Sequence, residues 1–76
     1  YETQAALASM TEATRRAPTS MDAHMGRAEA FLFFGRTTAA EASLNQALSI
    51  GLVPPRLEGQ VARLRRAVGE IHSTVN

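Results

Sequence analysis

The chain has 76 residues, of which 45% are hydrophobic, and a formal net charge of +1. This length limits it to one domain, near the lower size at which a single core supports folding alone. The apolar share argues against intrinsic disorder, and the near-neutral charge gives no indication of a polyanionic partner. The lack of cysteine excludes disulfides, thiol catalysis and Cys-ligated zinc. No apolar stretch approaches the ~18 residues of a membrane span, so no membrane partner is expected.

The first residue is Tyr1 rather than an initiator methionine. We therefore expect the chain to be a segment excised or processed from a longer protein, whose targeting sequence would lie outside it. The sequence therefore does not fix the cellular compartment, and the cytoplasm is the favoured expectation.

The first half of the chain has the apolar periodicity of two helices. The first helix covers residues 3–16 and ends before Pro18, because proline disfavours a helical residue just before itself. Thr19 or Ser20 then supplies the N-cap of the second helix, which stops around Gly35, a residue type common after helix ends. The predicted inward-facing residues are Ala6, Leu7, Met10 and Ala13 in the first helix, and Met21, Met25, Ala28, Phe31 and Leu32 in the second.

The second half predicts two more helices. Thr37 or Thr38 opens the third, which ends at Gly51, and Pro55 suits the first turn of the fourth because its missing N–H is not needed there. Because the connecting turns are short, consecutive helices should be antiparallel neighbours, and the expected class is all-α with about four helices. The predicted inward residues are Ala40, Leu44, Ala47, Leu48 and Ile50 in the third helix, and a narrow stripe of Leu57, Val61, Leu64, Val68 and Ile71 in the fourth.

Three positions of the first helix recur in the third helix at a separation of 34 residues. The recurring residues are Ala6, Met10 and Ala13, repeated as Ala40, Leu44 and Ala47. This is the period and the small–large–small pattern of the tetratricopeptide repeat, and the chain resembles that family over nearly its whole length. Residues 3–18 resemble the second helix of one repeat, 21–52 a full repeat, and 55–74 a following or capping helix. The resemblance implies a single domain, 1–76, of antiparallel helix pairs in a right-handed superhelical fragment; an ordinary four-helix bundle is the alternative.

The sequence departs from the family pattern in three places. His24 stands where the family has Trp, Arg27 stands where it has Leu, and the proline that ends the full repeat is displaced to Pro54. A buried arginine is costly unless it is paired. We therefore expect Arg27 at a rim, with its stem covering apolar surface.

No constellation of residues indicates catalysis. His24 and Glu29 are not spaced to share a helix face, and the chain lacks an HExxH motif, paired histidine ligands and a glycine-rich phosphate loop. His24 and His72 are therefore expected to be surface or rim residues. The prediction is a protein that is not an enzyme and that needs neither metal nor cofactor.

A nucleic-acid interface would rest on the four arginines of residues 56–66. The same helix also carries Glu58 and Glu70 and has no aromatic residue on which a base could stack. Arg66 and Glu70 are spaced to pair along the helix, so part of this charge supports the helix itself. Nucleic acid is not an expected partner.

The resemblance implies instead a concave groove, lined by one face of each first helix, that binds another protein. Met25, Leu32 and Phe33 would form an apolar patch beside a basic strip, which suits an amphipathic helix or an extended peptide with acidic flanks. In the alternative, Leu32 and Phe33 pack against the fourth helix and leave no groove. The residues expected to bind the partner are Met25, Glu29, Leu32, Phe33, Arg56, Arg63 and Arg66.

Within the family, carboxylate-clamp variants use Lys and Asn in the groove, and neither Met25 nor Glu29 fits that pattern. A receptor for chaperone tails is therefore not expected. Repeat arrays usually need about three units to bury a continuous core, and this chain offers fewer. A second copy of the chain, in a homodimer, or a small helical partner would cover the apolar surface that is left exposed. Small bacterial secretion chaperones that resemble these repeats pair with such a helical partner, which implies a chaperone-like role. The alternative function is an oligomerisation or capping segment of a longer helical-repeat protein.

Overall fold

A computed structural model describes the backbone of residues 2–75 and the side chains of residues 4–69. Four α-helices follow one another, and the part of the chain described contains no strand, so the predicted all-α class is confirmed. The side chains of Glu70, Ile71 and His72, which entered the predictions above, lie outside the described residues. The helices are α1 (Glu2–Arg16), α2 (Met21–Phe33), α3 (Thr37–Leu48) and α4 (Pro55–Val75).

The starts of α2 and α3 are capped differently. At α2 the Oγ of Ser20 accepts a hydrogen bond of 3.2 Å from the backbone N–H of Ala23, which confirms one of the two predicted caps. At α3 the N-cap is Arg36, whose side chain makes no capping hydrogen bond. Thr37 is its first helical residue, so the prediction that Thr37 or Thr38 opens this helix is confirmed.

The turn between α2 and α3 depends on Gly35. Its φ of 75° lies in the left-handed region, the only positive φ found among the described residues. Gly35 N–H donates to Leu32 O at 3.0 Å and Arg36 N–H donates to Phe31 O at 2.8 Å. These two bonds satisfy the last carbonyls of α2 in a Schellman motif, which reverses the chain into α3.

Gly35→Ala should therefore destabilise the fold by about 1–2 kcal/mol, the cost of placing a Cβ in the left-handed region. A matched control is Gly59→Ala, in the interior of α4, where a Cβ would meet open space. That change should stabilise the chain by about 0.5–1 kcal/mol, because alanine favours the helix. Urea unfolding followed by circular dichroism compares the two variants. Equal effects of the same sign would contradict this account of the turn.

Helix α2 is the centre of the fold and packs against the other three helices, most extensively against α3. The fully buried Ala28, Ala40 and Ala47 let α2 and α3 approach closely. The predicted burial of the α4 stripe is confirmed for its described members. None of the helices described is long and apolar enough to cross a membrane. The core cluster contains Met21, Met25 and Ala28 of α2, Leu44 and Ala47 of α3, and Leu57, Val61 and Leu64 of α4.

Two predictions about burial are wrong. Ile50 was predicted to face inward from the third helix, but α3 ends at Leu48 and Ile50 is 36% exposed in the turn that follows. His24 was predicted at the surface or rim, but it is 5% exposed. Its burial is tolerated because the Nε2–H donates to the carbonyl oxygen of Pro18 at 2.9 Å.

Candidate functional site

Helices α2 and α4 lie side by side and are joined by two ion pairs. Arg56 Nη1 and Nη2 donate to Asp22 Oδ1 and Oδ2 at 2.7 and 2.8 Å, and Arg63 Nη2 donates to Glu29 Oε1 at 2.8 Å. Each pair spans 34 residues, and the pairs follow one another two helical turns apart on both helices. Helices α2 and α4 are therefore parallel to each other and in register. We call the surface between them the α2–α4 groove.

One end of this groove is a pocket of about 380 Å³. Phe33 stands at its edge with 83% of its surface exposed, and its ring meets that of Phe34 edge-on, with centroids 5.1 Å apart. Leu32 is half-buried against the core. The alternative in which both Leu32 and Phe33 pack away against α4 is therefore wrong for Phe33. The pocket is lined by Glu29, Leu32 and Phe33 of α2 and by Arg63, Leu64 and Ala67 of α4.

Four of the seven residues predicted to bind a partner, namely Glu29, Leu32, Phe33 and Arg63, line this one pocket. Arg56 lies toward the other end of the groove, beside Asp22, and Arg66 is exposed on α4 outside the pocket. Met25 is different. It has no exposed surface and belongs to the core cluster, so a partner docking on the folded chain does not reach it. The prediction that Met25 binds a partner is therefore corrected: Met25 is a core residue.

The predicted basic strip is also corrected. Arg56 and Arg63 are both paired with carboxylates of α2, and Gln60 Nε2 donates to Glu29 Oε1 at 2.8 Å. The charges along this part of the groove therefore largely cancel. Sequence reasoning missed these pairs, although a signal was present: Asp22 and Arg56, like Glu29 and Arg63, are separated by the same 34 residues as the repeated apolar positions.

The Asp22–Arg56 pair is exposed, so its net contribution is reduced by solvent screening. The hydrogen bonds from Arg56 hold the pKa of Asp22 below its ordinary value, and burial opposes them only in part. In return, the hydrogen bonds to Asp22 raise the pKa of Arg56 above its ordinary value. Asp22 therefore stays ionised and paired at neutral pH.

This lowered pKa predicts an acid-dependent loss of stability. A carboxylate with a lowered pKa in the folded state stabilises the fold in full above its unfolded pKa, and that contribution is lost as the pH falls below about 4. Asp22→Asn should therefore be less stable than wild type at pH 7, and the difference should shrink in acid. Thermal melts of wild type and Asp22→Asn at pH 7 and below about pH 4 measure this difference. In an Arg56→Gln background the pH-dependent difference should be much smaller; an unchanged difference there would contradict the pairing.

Comparison with models of protein families, with curated proteins and with solved structures finds no match to this chain. The fold and the site define its class as an all-α domain with a groove between two parallel helices. The groove has two parts, a charge-paired stretch from Asp22 to Glu29 and an apolar end at Phe33. Its geometry suits binding of a side chain at the apolar end.

Proposed function

We propose that this chain is a protein-interaction module that binds an amphipathic helix or a short peptide in the α2–α4 groove, and that it acts by binding rather than by catalysis. The observation that carries the proposal is the exposed ring of Phe33 at the edge of a pocket walled by Leu32 and Leu64. An exposed aromatic side chain beside an apolar pocket is a common anchor of protein interfaces. A partner's large apolar side chain would fill the pocket and cover the ring.

The chemistry of the partner follows from the charges already present. Because Arg56 and Arg63 are paired within the chain, an acidic group of a partner would have to compete with Asp22 and Glu29 for them. The binding energy should therefore come mainly from the apolar anchor, with Arg66 as the exposed charge that orients acidic residues of the partner. This shifts the expected partner from a strongly acidic peptide to an amphipathic one.

We further propose that the chain has a tetratricopeptide-like arrangement. Two observations support it: the 34-residue offset recurs both in the apolar residues and in the ion pairs between α2 and α4, and α2 and α3 form a close antiparallel pair. A parallel register between equivalent helices is what a stack of repeated helix pairs requires. In this arrangement α2 and α4 are equivalent first helices, and the groove lies on the face they share.

One observation favours a second function, that of a capping or oligomerisation segment. The side of α4 away from α2 carries the exposed Glu58 and Arg65 around the small Ala62, next to the half-buried Val53. A polar outer face is typical of the helix that closes an array of repeats. In that case the neighbour of the groove would be another repeat or a second copy of the chain rather than a separate protein.

Selection from a display library of short amphipathic and extended peptides tests the proposal. The immobilised wild-type chain is compared with Phe33→Ser and, as a matched control, with Leu52→Ser, since Leu52 is 98% exposed but lies outside the groove. We expect peptides with a shared large apolar residue that bind wild type and Leu52→Ser but not Phe33→Ser. Enrichment of no peptide, or equal retention by all three chains, would count against a peptide groove.

Sedimentation equilibrium of the same three chains separates the second function from the first. A wild-type homodimer that Phe33→Ser makes monomeric would assign the groove to self-association. A monomer at all accessible concentrations would leave the groove free for a different protein.

A further inference from the structure

A second concave site lies between α2 and α3, on a different face of α2 from the groove. We call it the α2–α3 pocket; its volume is about 330 Å³. Its α2 side carries three large side chains on one helix face, whereas its α3 side carries mostly small ones, and this difference leaves the space open. Small-molecule sites begin at about 300 Å³. The lining residues are His24, Arg27 and Phe31 of α2 and Ala39, Ala42, Ser43 and Gln46 of α3.

Arg27 brings a positive charge into this pocket. Its side chain is half-buried, and its guanidinium carbon lies 5.3 Å from the centroid of the Phe31 ring, a cation–π contact. Among the residues described, no carboxylate lines the pocket and the buried Nε of Arg27 has no hydrogen-bond partner. A buried donor without a partner is costly, so an anion that accepts from Arg27 would gain binding energy here.

His24 adds an acceptor beside this donor. Since the carbonyl oxygen of Pro18 can only accept, the Nε2 of His24 carries the hydrogen, and Nδ1 is the acceptor of the neutral ring. This Nδ1 is buried and, in the described part of the chain, makes no hydrogen bond. Two side chains one turn apart on α2 therefore leave one donor and one acceptor unused at the same pocket.

We propose that the α2–α3 pocket binds a small hydroxy-carboxylate. The carboxylate pairs with the guanidinium of Arg27, whose planar fork matches its two oxygens. The hydroxyl donates to Nδ1 of His24, and the hydrocarbon part lies over Ala39 and Ala42. Because Nε and Nδ1 have almost no solvent-accessible surface, binding includes a rotation of the Arg27 side chain that turns Nε to the ligand and uncovers Nδ1 of His24. This site is independent of the α2–α4 groove and of its proposed function.

Titration of the ¹⁵N-labelled chain with mandelate, followed by NMR, tests the assignment. Two comparison ligands each lack one of the required groups: phenylacetate has no hydroxyl, and mandelamide has no charge. We expect saturable shifts for mandelate at the residues that line the pocket, including the Nδ1 of His24. Both comparison ligands should bind at least about tenfold more weakly, because phenylacetate leaves Nδ1 of His24 unpaired and mandelamide replaces the charge-assisted pairing with Arg27 by a neutral hydrogen bond.

Two arginine variants complete the test. Arg27→Met keeps an apolar stem but removes the fork, and it should weaken mandelate binding at least about tenfold. Arg65→Met, which changes an exposed arginine of α4 outside the pocket, should leave binding unchanged. The proposal is overturned by the absence of saturable shifts at the pocket, by equally tight binding of either comparison ligand, or by unchanged binding to Arg27→Met. Should Arg27→Met not fold, the three ligands on the wild-type chain decide alone.

Discussion

Met25→Ala is expected to lower the free energy of unfolding by about 2–5 kcal/mol, the usual cost of emptying a fully buried methionine site. Met25 has no exposed surface and is one of the two largest fully buried side chains, together with Leu64. It packs in the cluster that joins α2, α3 and α4, so the cavity opens where three helices meet. A chain of 76 residues has a total stability of roughly 4–11 kcal/mol. The substitution should therefore remove a large part of the stability of the fold.

Urea unfolding followed by circular dichroism measures this loss. Leu52→Ala is the matched control, because Leu52 is 98% exposed and its truncation should change stability by no more than about 0.5 kcal/mol. Similar stabilities of the two variants would mean that Met25 is not a core residue. Met25 would then be a candidate for the binding surface.

Phe33→Asp is expected to have the largest effect on partner binding. Because Phe33 is 83% exposed, its replacement should leave the stability of the fold within about 0.5 kcal/mol of wild type. If the ring is an anchor, however, its loss should cost at least about 2 kcal/mol of binding energy, or roughly a 30-fold weaker Kd. The new carboxylate at position 33 also lies beside Glu29, so the pocket would become more negative and would repel acidic residues of a partner.

Calorimetric titration of a selected peptide into each chain provides the comparison. Leu52→Asp is the control for a new negative charge at an exposed leucine outside the groove, and it should bind as tightly as wild type. A folded Phe33→Asp that binds with the wild-type Kd would remove Phe33 from the interface. An unfolded Phe33→Asp would show that the ring supports the fold.

The fold could be predicted from the sequence where local rules and periodicity agree. The stripe from Leu57 to Val68 has one apolar residue per turn, and Pro55 marks the start of its helix, so both the helix and its buried face follow directly. Gly35 likewise marked the end of α2, because few other residues adopt the backbone conformation that the turn requires. These features depend on residues close together in the chain.

The candidate site was harder to predict, because it depends on contacts between distant residues. The family resemblance placed Met25 and Phe33 together in the groove, yet Met25 is fully buried and Phe33 is largely exposed, since only the packing of α3 and α4 decides which face is covered. The burial of His24 depends on the carbonyl of Pro18, a partner that composition does not reveal. The pairing of Arg56 with Asp22 required the register between two helices.

The sequence nevertheless contains a signal for the register between α2 and α4. The 34-residue offset was recognised in small and large apolar residues, and the same offset applied to charged residues matches each arginine of the groove with its carboxylate. Oppositely charged residues at one repeat period are thus a usable signal for ion pairs between equivalent helices. Applying it would have replaced the predicted basic strip with a charge-paired one.

Mapping a bound peptide by NMR tests the central claim most directly, because it locates the binding surface without a substitution. Amide shifts of the ¹⁵N-labelled chain are followed as a selected peptide is added. We expect the largest shifts on the residues of the α2–α4 groove around Leu32, Phe33 and Ala67. Shifts concentrated instead on the side of α4 that carries Glu58, Ala62 and Arg65 would contradict binding in the groove.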